Sequence, residues 1–247
     1  MQSFLNDLNH FFLDNELLIN CKKTKIMLFN PPTINYDMHI YLNNIEIEQV
    51  ESYKFLGFVL DNKLNFNSHT DHLVKKLNSC CFILNTCRSF LNISTLVIIF
   101  NAIGLSHINY CGLLLFNSSK LNITKITNKY NHCAATIFNC QLNQLNDILI
   151  NSWKPLNHVL FINKSIFIHN ILFHNYAPIF KYFFEFNKSS YNLRTQNFAL
   201  NRKNKNIGQK AFDFWGPKFW NDLPNYIKNI HNLESFKKEI NLIEIDI

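Results

Sequence analysis

A chain of 247 residues, of which 47% are hydrophobic and 15% aromatic, is long enough to bury a substantial core in one large or two small domains. The formal net charge of +7 favours a polyanionic partner, although a basic protein without such a partner has the same charge. Seven cysteines without a C-x-x-C pair argue against a disulfide framework and against zinc, and they indicate reduced thiols inside a cell.

The beginning of the chain predicts a helix followed by extended segments. Residues 3–14 place apolar side chains on one face at helical spacing: Phe4, Leu5, Leu8, Phe11 and Phe12. Asn15 can end this helix, and short strands are expected at residues 17–19 and 24–29. Pro31-Pro32 then breaks the pattern, because proline stops both a helix and an inner strand.

Residues 38–60 predict a small antiparallel β structure. Alternating apolar residues on either side of Asn43-Asn44 favour a tight hairpin, because these two residues tolerate positive φ. Residues 50–60 predict a further strand, in which Gly57 marks a bulge or a close approach. Together with the preceding helix, this part is a β-rich unit that ends near residues 61–68.

The chain after this unit predicts helices. Ser68, with Asp71 at the capping-box position, can begin the first of them, and Ser94 can cap a second over residues 96–103. Three more helices are predicted, over residues 121–140, 161–176 (ended by Pro178) and 233–243. The first of them has an inward face at helical spacing, formed by Ile123, Ile126, Tyr130, Cys133, Ala134 and Ile137. The predicted fold class is therefore α+β, with a small antiparallel β-rich part followed by a mostly helical part.

No segment of the sequence predicts secretion or a membrane span. Met1 leads into an amphipathic stretch that contains Asp7 rather than into an apolar signal sequence. The most apolar region, residues 91–116, is interrupted by polar residues such as Asn101 and Asn109, whereas a span needs an unbroken apolar run. We therefore expect an intracellular protein, cytoplasmic or nuclear, with no membrane partner.

Two motifs, at residues 20–29 and 53–61, carry the strongest functional signal. The first reads Asn20-Cys21-Lys22-Lys23-Thr24-Lys25-Ile26-Met27-Leu28-Phe29, and the second reads Tyr53-Lys54-Phe55-Leu56-Gly57-Phe58-Val59-Leu60-Asp61. Three residues continue the second motif: Leu64, Phe66 and His69. In this order and at this separation, the motifs resemble the back half of the palm domain in reverse transcriptases of non-LTR retrotransposons, with Thr70 where the family has isoleucine.

The first motif matches the family pattern N-x-x-K-T-x-x-M-x-F. The resemblance implies that Lys23 and Thr24 lie near the incoming nucleotide, where a cation stabilises the charge that develops on the leaving pyrophosphate. Lys22 and Lys25 are further candidates for contacts with nucleic acid. Taken alone, the K-K-T-K run favours a solvated basic turn between strands, whereas its spacing to the second motif favours the functional interpretation.

Within the second motif, Phe55, Leu56 and Gly57 match the hairpin that grips the primer end in this family. A glycine suits that position because a Cβ atom would obstruct the close approach of a nucleic-acid backbone. The helices that follow would correspond to the thumb, which tracks the template–primer duplex. Tyr110 also resembles a residue of the family's thumb helix, although ordinary core packing is the favoured interpretation for this side chain alone.

A third motif lies near the end of the chain. Its residues are Gly208, Phe212, Gly216-Pro217, Phe219-Trp220-Asn221, Leu223-Pro224, Ile227 and Ser235-Phe236-Lys237. It resembles the C-terminal region of jockey-like and related elements, and Tyr191-x-Leu193-Arg194 fits the same region. Because the role of that region is poorly defined within the family, the motif indicates ancestry more than mechanism.

Residues 187–210 predict an extended basic loop with no acidic residue between Glu185 and Asp213. Its candidate nucleic-acid-binding cations are Lys188, Arg194, Arg202, Lys203, Lys205 and Lys210. Phosphate contacts from such a loop would be independent of sequence and sensitive to salt, and Tyr191 and Phe198 could add base stacking. A solvated basic loop without a partner fits the composition equally well.

The resemblance places the catalytic aspartate pair of the family upstream of the first motif. None of the nine aspartates here is adjacent to another, and two-metal phosphoryl transfer needs carboxylates converging on ions about 3.5–4 Å apart. His69 and His72 share a helical face but lack a third ligand, so core or surface positions are favoured over zinc. We therefore expect no catalytic residue, metal or cofactor in this chain, although the intact family uses Mg²⁺.

The resemblance as a whole implies a fragment of an RNA-directed DNA polymerase, truncated after the catalytic Y-x-D-D loop, inactive, and bound to an RNA or DNA template–primer. Its expected parts are a palm remnant (1–66), a thumb-like helical region (67–150) and a C-terminal helical region (151–247) with the basic loop. The alternatives are a non-catalytic nucleic-acid-binding module, a protein-interaction module, or a relic without a selected function.

Overall fold

The computed structural model describes residues 1–29, 38–110, 112–115, 118–145, 153–186, 197–200 and 206–243. It is mostly helical, with two small antiparallel sheets of two strands each, which confirms the predicted α+β class. The chain divides into two compact units. The first unit comprises Met1–Ile83 and Ser118–Lys129, and the second comprises Leu84–Asn117 and Tyr130–Ile247. The three-part division by ancestry stays a prediction.

Helices and strands follow one another along the chain in this order. The first five are α1 (Gln2–Asp14), β1 (Tyr41–Leu42), β2 (Ile45–Glu46), β3 (Ser52–Phe55) and β4 (Phe58–Asp61). Next come α2 (Asn67–Cys87), α3 (Ile93–Phe100), a π-helical turn (Asn101–Leu105), α4 (Ser106–Asn109), α5 (Gly112–Leu115) and α6 (Lys120–Phe138). The last are α7 (Leu156–Phe173), α8 (Asn206–Gln209), α9 (Phe212–Asp222), α10 (Asn225–Lys228) and α11 (Leu233–Ile240), with 3-10 turns at Leu142–Gln144 and Pro178–Phe183.

Helix α1 confirms the first predicted helix. Asn15 ends it, since its side-chain amide donates to the carbonyl of Phe11 at 2.7 Å. At the other end, the side-chain amide of Gln2 donates to the carbonyl of Tyr41 at 2.7 Å and accepts from the N–H of Tyr41 at 2.9 Å. This amide therefore satisfies both backbone groups at the edge of β1, much as a neighbouring strand would.

The hairpin predicted at Asn43-Asn44 is confirmed. Strand β1 pairs with β2, and the two turn residues have φ values of 49° and 61°. The strands predicted at 17–19 and 24–29 are wrong: only Ile26 forms a bridge, to Gln49. A hydrogen-bonded turn after residue 20 redirects the chain and leaves too short an extended run for a strand. Pro31-Pro32 lies outside the described residues.

The single strand predicted over residues 50–60 is also wrong. Two strands replace it, β3 and β4, which pair with Phe55 opposite Phe58. The connecting residues Leu56 and Gly57 have φ values of 47° and 88°, which reverse the chain in two residues. Gly57 is thus a turn residue rather than a bulge.

Two predicted helix caps are corrected. Helix α2 begins at Asn67, so Ser68 lies inside the helix, and the side chain of Asn65 accepts from the N–H of Asn67 at 2.9 Å. Helix α3 begins at Ile93, and its cap is Asn92, which accepts from the N–H of Thr95 at 2.9 Å. Asparagine is among the strongest N-caps, as Asn92 is for α3, whereas Asn65 lies one residue before the N-cap position of α2 and still satisfies its first N–H.

The remaining helices agree with the predictions in type and differ at their ends. On α6, five of the six predicted inward residues are buried and Ile123 is half-buried; the five are Ile126, Tyr130, Cys133, Ala134 and Ile137. Helix α7 ends at Phe173, three residues before its predicted end, and the chain then turns at Ala177, which has a φ of 49° ahead of Pro178. Within the predicted basic loop, α8 is helical instead.

Candidate nucleic-acid interface

The first motif forms a turn that Asn20 organises. The carbonyl of Asn20 accepts from the N–H groups of Lys23 and Thr24, each at 3.0 Å, and its side-chain oxygen accepts from the N–H of Lys23 at 3.1 Å. The hydroxyl of Thr24 donates to the same carbonyl at 3.0 Å. Asn20 and Thr24 therefore hold the backbone, and the side chains of Lys22 and Lys23 are left exposed.

Lys25 has a different environment from the two lysines before it. Its Nζ lies 2.5 Å from a carboxylate oxygen of Glu48, and its side chain is largely covered. The backbone of Ile26 receives a hydrogen bond from Val50 and donates one to Glu48. Lys25 thus neutralises the carboxylate of the segment against which it packs, while Lys22 and Lys23 face solvent.

A hydrogen bond joins the two motifs. The hydroxyl of Tyr53, on β3, donates to the carbonyl of Lys23 at 3.1 Å. It connects residues thirty positions apart and places β3 beside the lysine turn. Lys54, the next residue on β3, is exposed. Because side chains alternate along a strand, Lys54 lies on the face of β3 opposite to Tyr53, so the bond places only the lysines of the first motif beside this strand.

The hairpin tip exposes apolar side chains. Phe55 is 56% exposed and Leu56 is 76% exposed. Leu56 also occupies the left-handed region of backbone conformation, which costs a non-glycine residue about 1–2 kcal/mol. The other tight hairpin of this unit, in contrast, uses two asparagines at its turn. Neither burial nor turn chemistry accounts for a leucine at the tip.

The continuation of the second motif has a structural role. The buried carboxylate of Asp61 accepts from the N–H groups of Lys63 (3.1 Å), Asn65 (3.0 Å) and Phe66 (2.7 Å). Leu64 and Phe66 both have positive φ, so this carboxylate stabilises a strained loop. Both of its oxygens are thereby engaged with backbone groups of the loop that leads into α2.

His69 belongs to the same buried assembly. Its ring lies 4.0 Å from the ring of Phe58, and its Nδ1 accepts from the N–H of Val59 at 3.5 Å. Burial, and to a lesser extent the nearby His72, lower the pKa of His69 to about 4. His69 is therefore a neutral core histidine.

The C-terminal motif supplies the core of the second unit. Four of its residues, Trp220, Leu223, Ile227 and Phe236, are buried with Ile168 and Ile171 of α7. Asn221 accepts from the N–H of Phe198 and donates to its carbonyl, both at 2.9 Å. A Cβ atom on Gly216 would lie 3.1 Å from the ring of Phe212. Packing therefore explains most of this motif.

Most of the predicted basic loop is not described. Lys188, Arg194, Arg202, Lys203, Lys205 and Tyr191 lie outside the described residues. Lys210 is exposed. Phe198, predicted as a stacking residue, is buried against Phe184 and Phe186, so it is a core residue and that prediction is wrong. Tyr110 is half-exposed at the end of α4, so the core packing favoured for this side chain alone is wrong.

One lysine was missed by the sequence analysis. The Nζ of Lys164, on α7, lies 4.4 Å from the ring centroids of both Trp215 and Phe219. Burial lowers its pKa to about 8, although Asp222 raises it and Lys218 lowers it further. The spacing of the two rings, four residues apart on α9, is the only signal in the sequence that could have indicated this clamp.

Neither a metal centre nor a membrane span is found where the structure is described. No three His, Cys, Asp or Glu side chains of these residues are arranged to hold a metal ion, and none of their helices is long and apolar enough to cross a membrane. No protein-family model, curated protein or solved structure matches this chain. The resemblance to reverse transcriptases therefore rests on the sequence motifs alone.

Proposed function

We propose that this chain is a segment of a non-LTR retrotransposon reverse transcriptase, spanning the end of the palm, the thumb and the C-terminal region, and that it binds a template–primer nucleic acid. The hydrogen bond between Tyr53 and the carbonyl of Lys23 is the main support. It brings the two palm-like motifs together in the first unit.

The exposed groups of this site suit a nucleic-acid end. Lys22 and Lys23 carry cations that can contact phosphates whatever the base sequence. Phe55 and Leu56 project apolar surface that can pack on a sugar or base at the primer end. A solvated basic turn has no need of exposed apolar side chains beside it, so their combination with cations favours nucleic-acid binding.

Binding without polymerisation is the activity proposed for these 247 residues. Asp61 is the aspartate within the second motif, and both oxygens of its carboxylate already accept backbone hydrogen bonds. None of the nine aspartates of the sequence is adjacent to another. A pair of magnesium ions would therefore need carboxylates from elsewhere.

Fluorescence anisotropy with a labelled RNA–DNA template–primer tests the proposal. The double variant Lys22→Gln, Lys23→Gln should weaken binding about tenfold and lower the salt slope by about 2, because two phosphate contacts are lost. The control is Lys237→Gln, Lys238→Gln on α11, which removes the same charge. Equal losses in both double variants would mean that only net charge matters and would overturn the site.

A protein-interaction module is the second candidate, supported by α1. None of its residues is buried, and Phe4, Phe11 and Leu13 are exposed. The variant Phe4→Ser, Phe11→Ser should abolish self-association in sedimentation velocity if α1 is an interface, and it should leave template–primer affinity unchanged. The two candidate functions are thus separated by independent measurements.

A further inference from the structure

The second unit contains a cavity of about 510 Å³ at the end of α7. Its size falls within the roughly 300–1,000 Å³ typical of small-molecule sites. Phe173, at the end of α7, and Trp220, on α9, line it together with Lys228 of α10. Lys181 of the 3-10 turn also contributes. Two stretches of the chain, residues 172–186 and 220–231, therefore converge on one concave surface together with Phe198.

Aromatic rings form the floor and the mouth of this cavity. Trp220 and Phe198 are buried beneath it, while Phe173 is 36% exposed and Phe186 is 55% exposed. The ring of Phe186 stacks on that of Phe198 at 4.8 Å, and the ring of His231 stacks on that of Phe173 at 4.5 Å. These contacts hold the two mouth rings in fixed orientations, which suits a planar ligand.

The charge of the cavity favours an anion. Lys181 and Lys228 line it, and none of its described lining residues is acidic. The Nζ of Lys228 donates one hydrogen bond to the carbonyl of Asn221 at 2.9 Å, so the ammonium group is held in place. An ammonium group has three donors, and the other two remain for a ligand.

We propose that this cavity binds one nucleotide, with its base against Phe173 and Phe186 and its phosphate at Lys181 and Lys228. A purely apolar ligand would make no use of the two ammonium groups, and inorganic phosphate would leave the aromatic mouth unfilled. The amides of Asn225 and Asn229, also on the wall, can donate to and accept from the edge of a base. This site lies in the second unit and does not depend on the Lys22–Lys23 turn.

Fluorine NMR of the full chain labelled with fluorotryptophan tests this proposal. The chain has three tryptophans, and Trp220 is the one that lines the cavity. Titration with AMP should shift the Trp220 signal saturably and leave the Trp153 signal unchanged. Adenosine and inorganic phosphate should each bind at least about tenfold more weakly, because each lacks half of the recognised chemistry.

The source of the nucleotide is distinguished by a second ligand. A short single-stranded oligoadenylate that binds more tightly than AMP would identify a nucleotide within a strand. AMP that binds more tightly than the oligonucleotide would identify a free nucleotide.

Two exposed positions provide the variants. Lys181→Gln should weaken AMP binding about tenfold, and Phe186→Ala should weaken it to a similar extent, while both preserve the buried floor. Lys237→Gln is the charge-matched control and should leave the affinity unchanged. A Trp220 signal that does not move with AMP or the oligonucleotide, or an affinity unchanged in Lys181→Gln, would overturn the nucleotide site.

Discussion

The N-terminal motif pair (residues 20–29 and 53–61) and the C-terminal motif (residues 208–237) differ in what they do with their side chains. In the N-terminal pair, Lys22, Lys23 and Leu56 are exposed at turns. In the C-terminal motif, Trp220 and Phe236 lie in the core. A resemblance in sequence does not distinguish residues that form the core from residues that can contact a partner. Their burial distinguishes them, and it indicates that the C-terminal motif mainly stabilises the fold.

The largest effect should come from emptying the core of the C-terminal motif. Phe236 is fully buried and lies 4.2 Å from His169 and 6.0 Å from Trp220, measured between ring centroids. Phe236→Ala should lower the free energy of unfolding by about 3–5 kcal/mol, because it leaves a cavity. Urea denaturation measures this loss. Tyr182→Ala, at an exposed ring of the same unit, should cost less than about 0.5 kcal/mol. Equal costs would contradict the division by burial.

Lowering the pH should destabilise the protein through His69, the buried residue that continues the second N-terminal motif. The pKa of His69 is about 4 in the folded protein and 6.5 as a free group. Between these pH values, the unfolded chain therefore binds a proton at His69 and the folded chain does not. The contribution of His69 to the free energy of unfolding is therefore fully present above pH 6.5. As the pH falls towards 4, that free energy decreases by roughly 3 kcal/mol. Unfolding at a series of pH values measures the slope.

The variant His69→Gln isolates this effect. Burial also lowers the pKa values of His158 and His169, which give slopes of the same sign, so the difference between the two proteins reports His69. A slope that persists unchanged in His69→Gln would mean that His69 is not the titrating group.

The sequence predicts helices better than turns and caps. Apolar spacing was sufficient for α1 and α6, because a long amphipathic pattern repeats its signal at every turn of the helix. The prediction of one strand over residues 50–60 is wrong because Leu56 has no intrinsic preference for the left-handed conformation that it adopts at the turn. Asn92 capped α3 in place of the predicted Ser94, because two good capping residues stood within one turn and only the packed structure selects between them.

The candidate site was predictable in its residues and not in its geometry. The family resemblance singled out Lys23, but no rule of sequence gives the hydrogen bond from Tyr53 that places β3 beside it. The cavity in the second unit was missed because Phe173, Lys181 and Lys228 come from separate segments. Only folding brings such residues together.

A smaller effect should come from the clip formed by Asn221. Its side chain makes two hydrogen bonds to the backbone of Phe198, both at 2.9 Å. Asn221→Ala should lower the free energy of unfolding by about 2 kcal/mol, because two buried backbone groups lose their partner. Asn157→Ala, at an exposed position on α7, is the matched control for thermal denaturation. If the two variants melt at the same temperature, Asn221 contributes to something other than folding.

The smallest change in stability should accompany a clear change in binding, at the tip of the β3–β4 hairpin. Leu56 has a φ of 47°, and the other hairpin of the first unit places asparagines in this conformation at Asn43 and Asn44. Leu56→Asn should therefore stabilise the protein by about 1 kcal/mol, since asparagine tolerates the left-handed region and the lost side chain is exposed. The same variant should weaken template–primer binding, because it removes the apolar tip that meets the primer end in the proposed site.

Thermal denaturation and anisotropy on one preparation give both values. Opposite signs would show that the leucine is kept at a cost to stability for the sake of a partner. A gain in both would mean that the tip does not touch nucleic acid, and would leave the lysine turn as the whole of the interface.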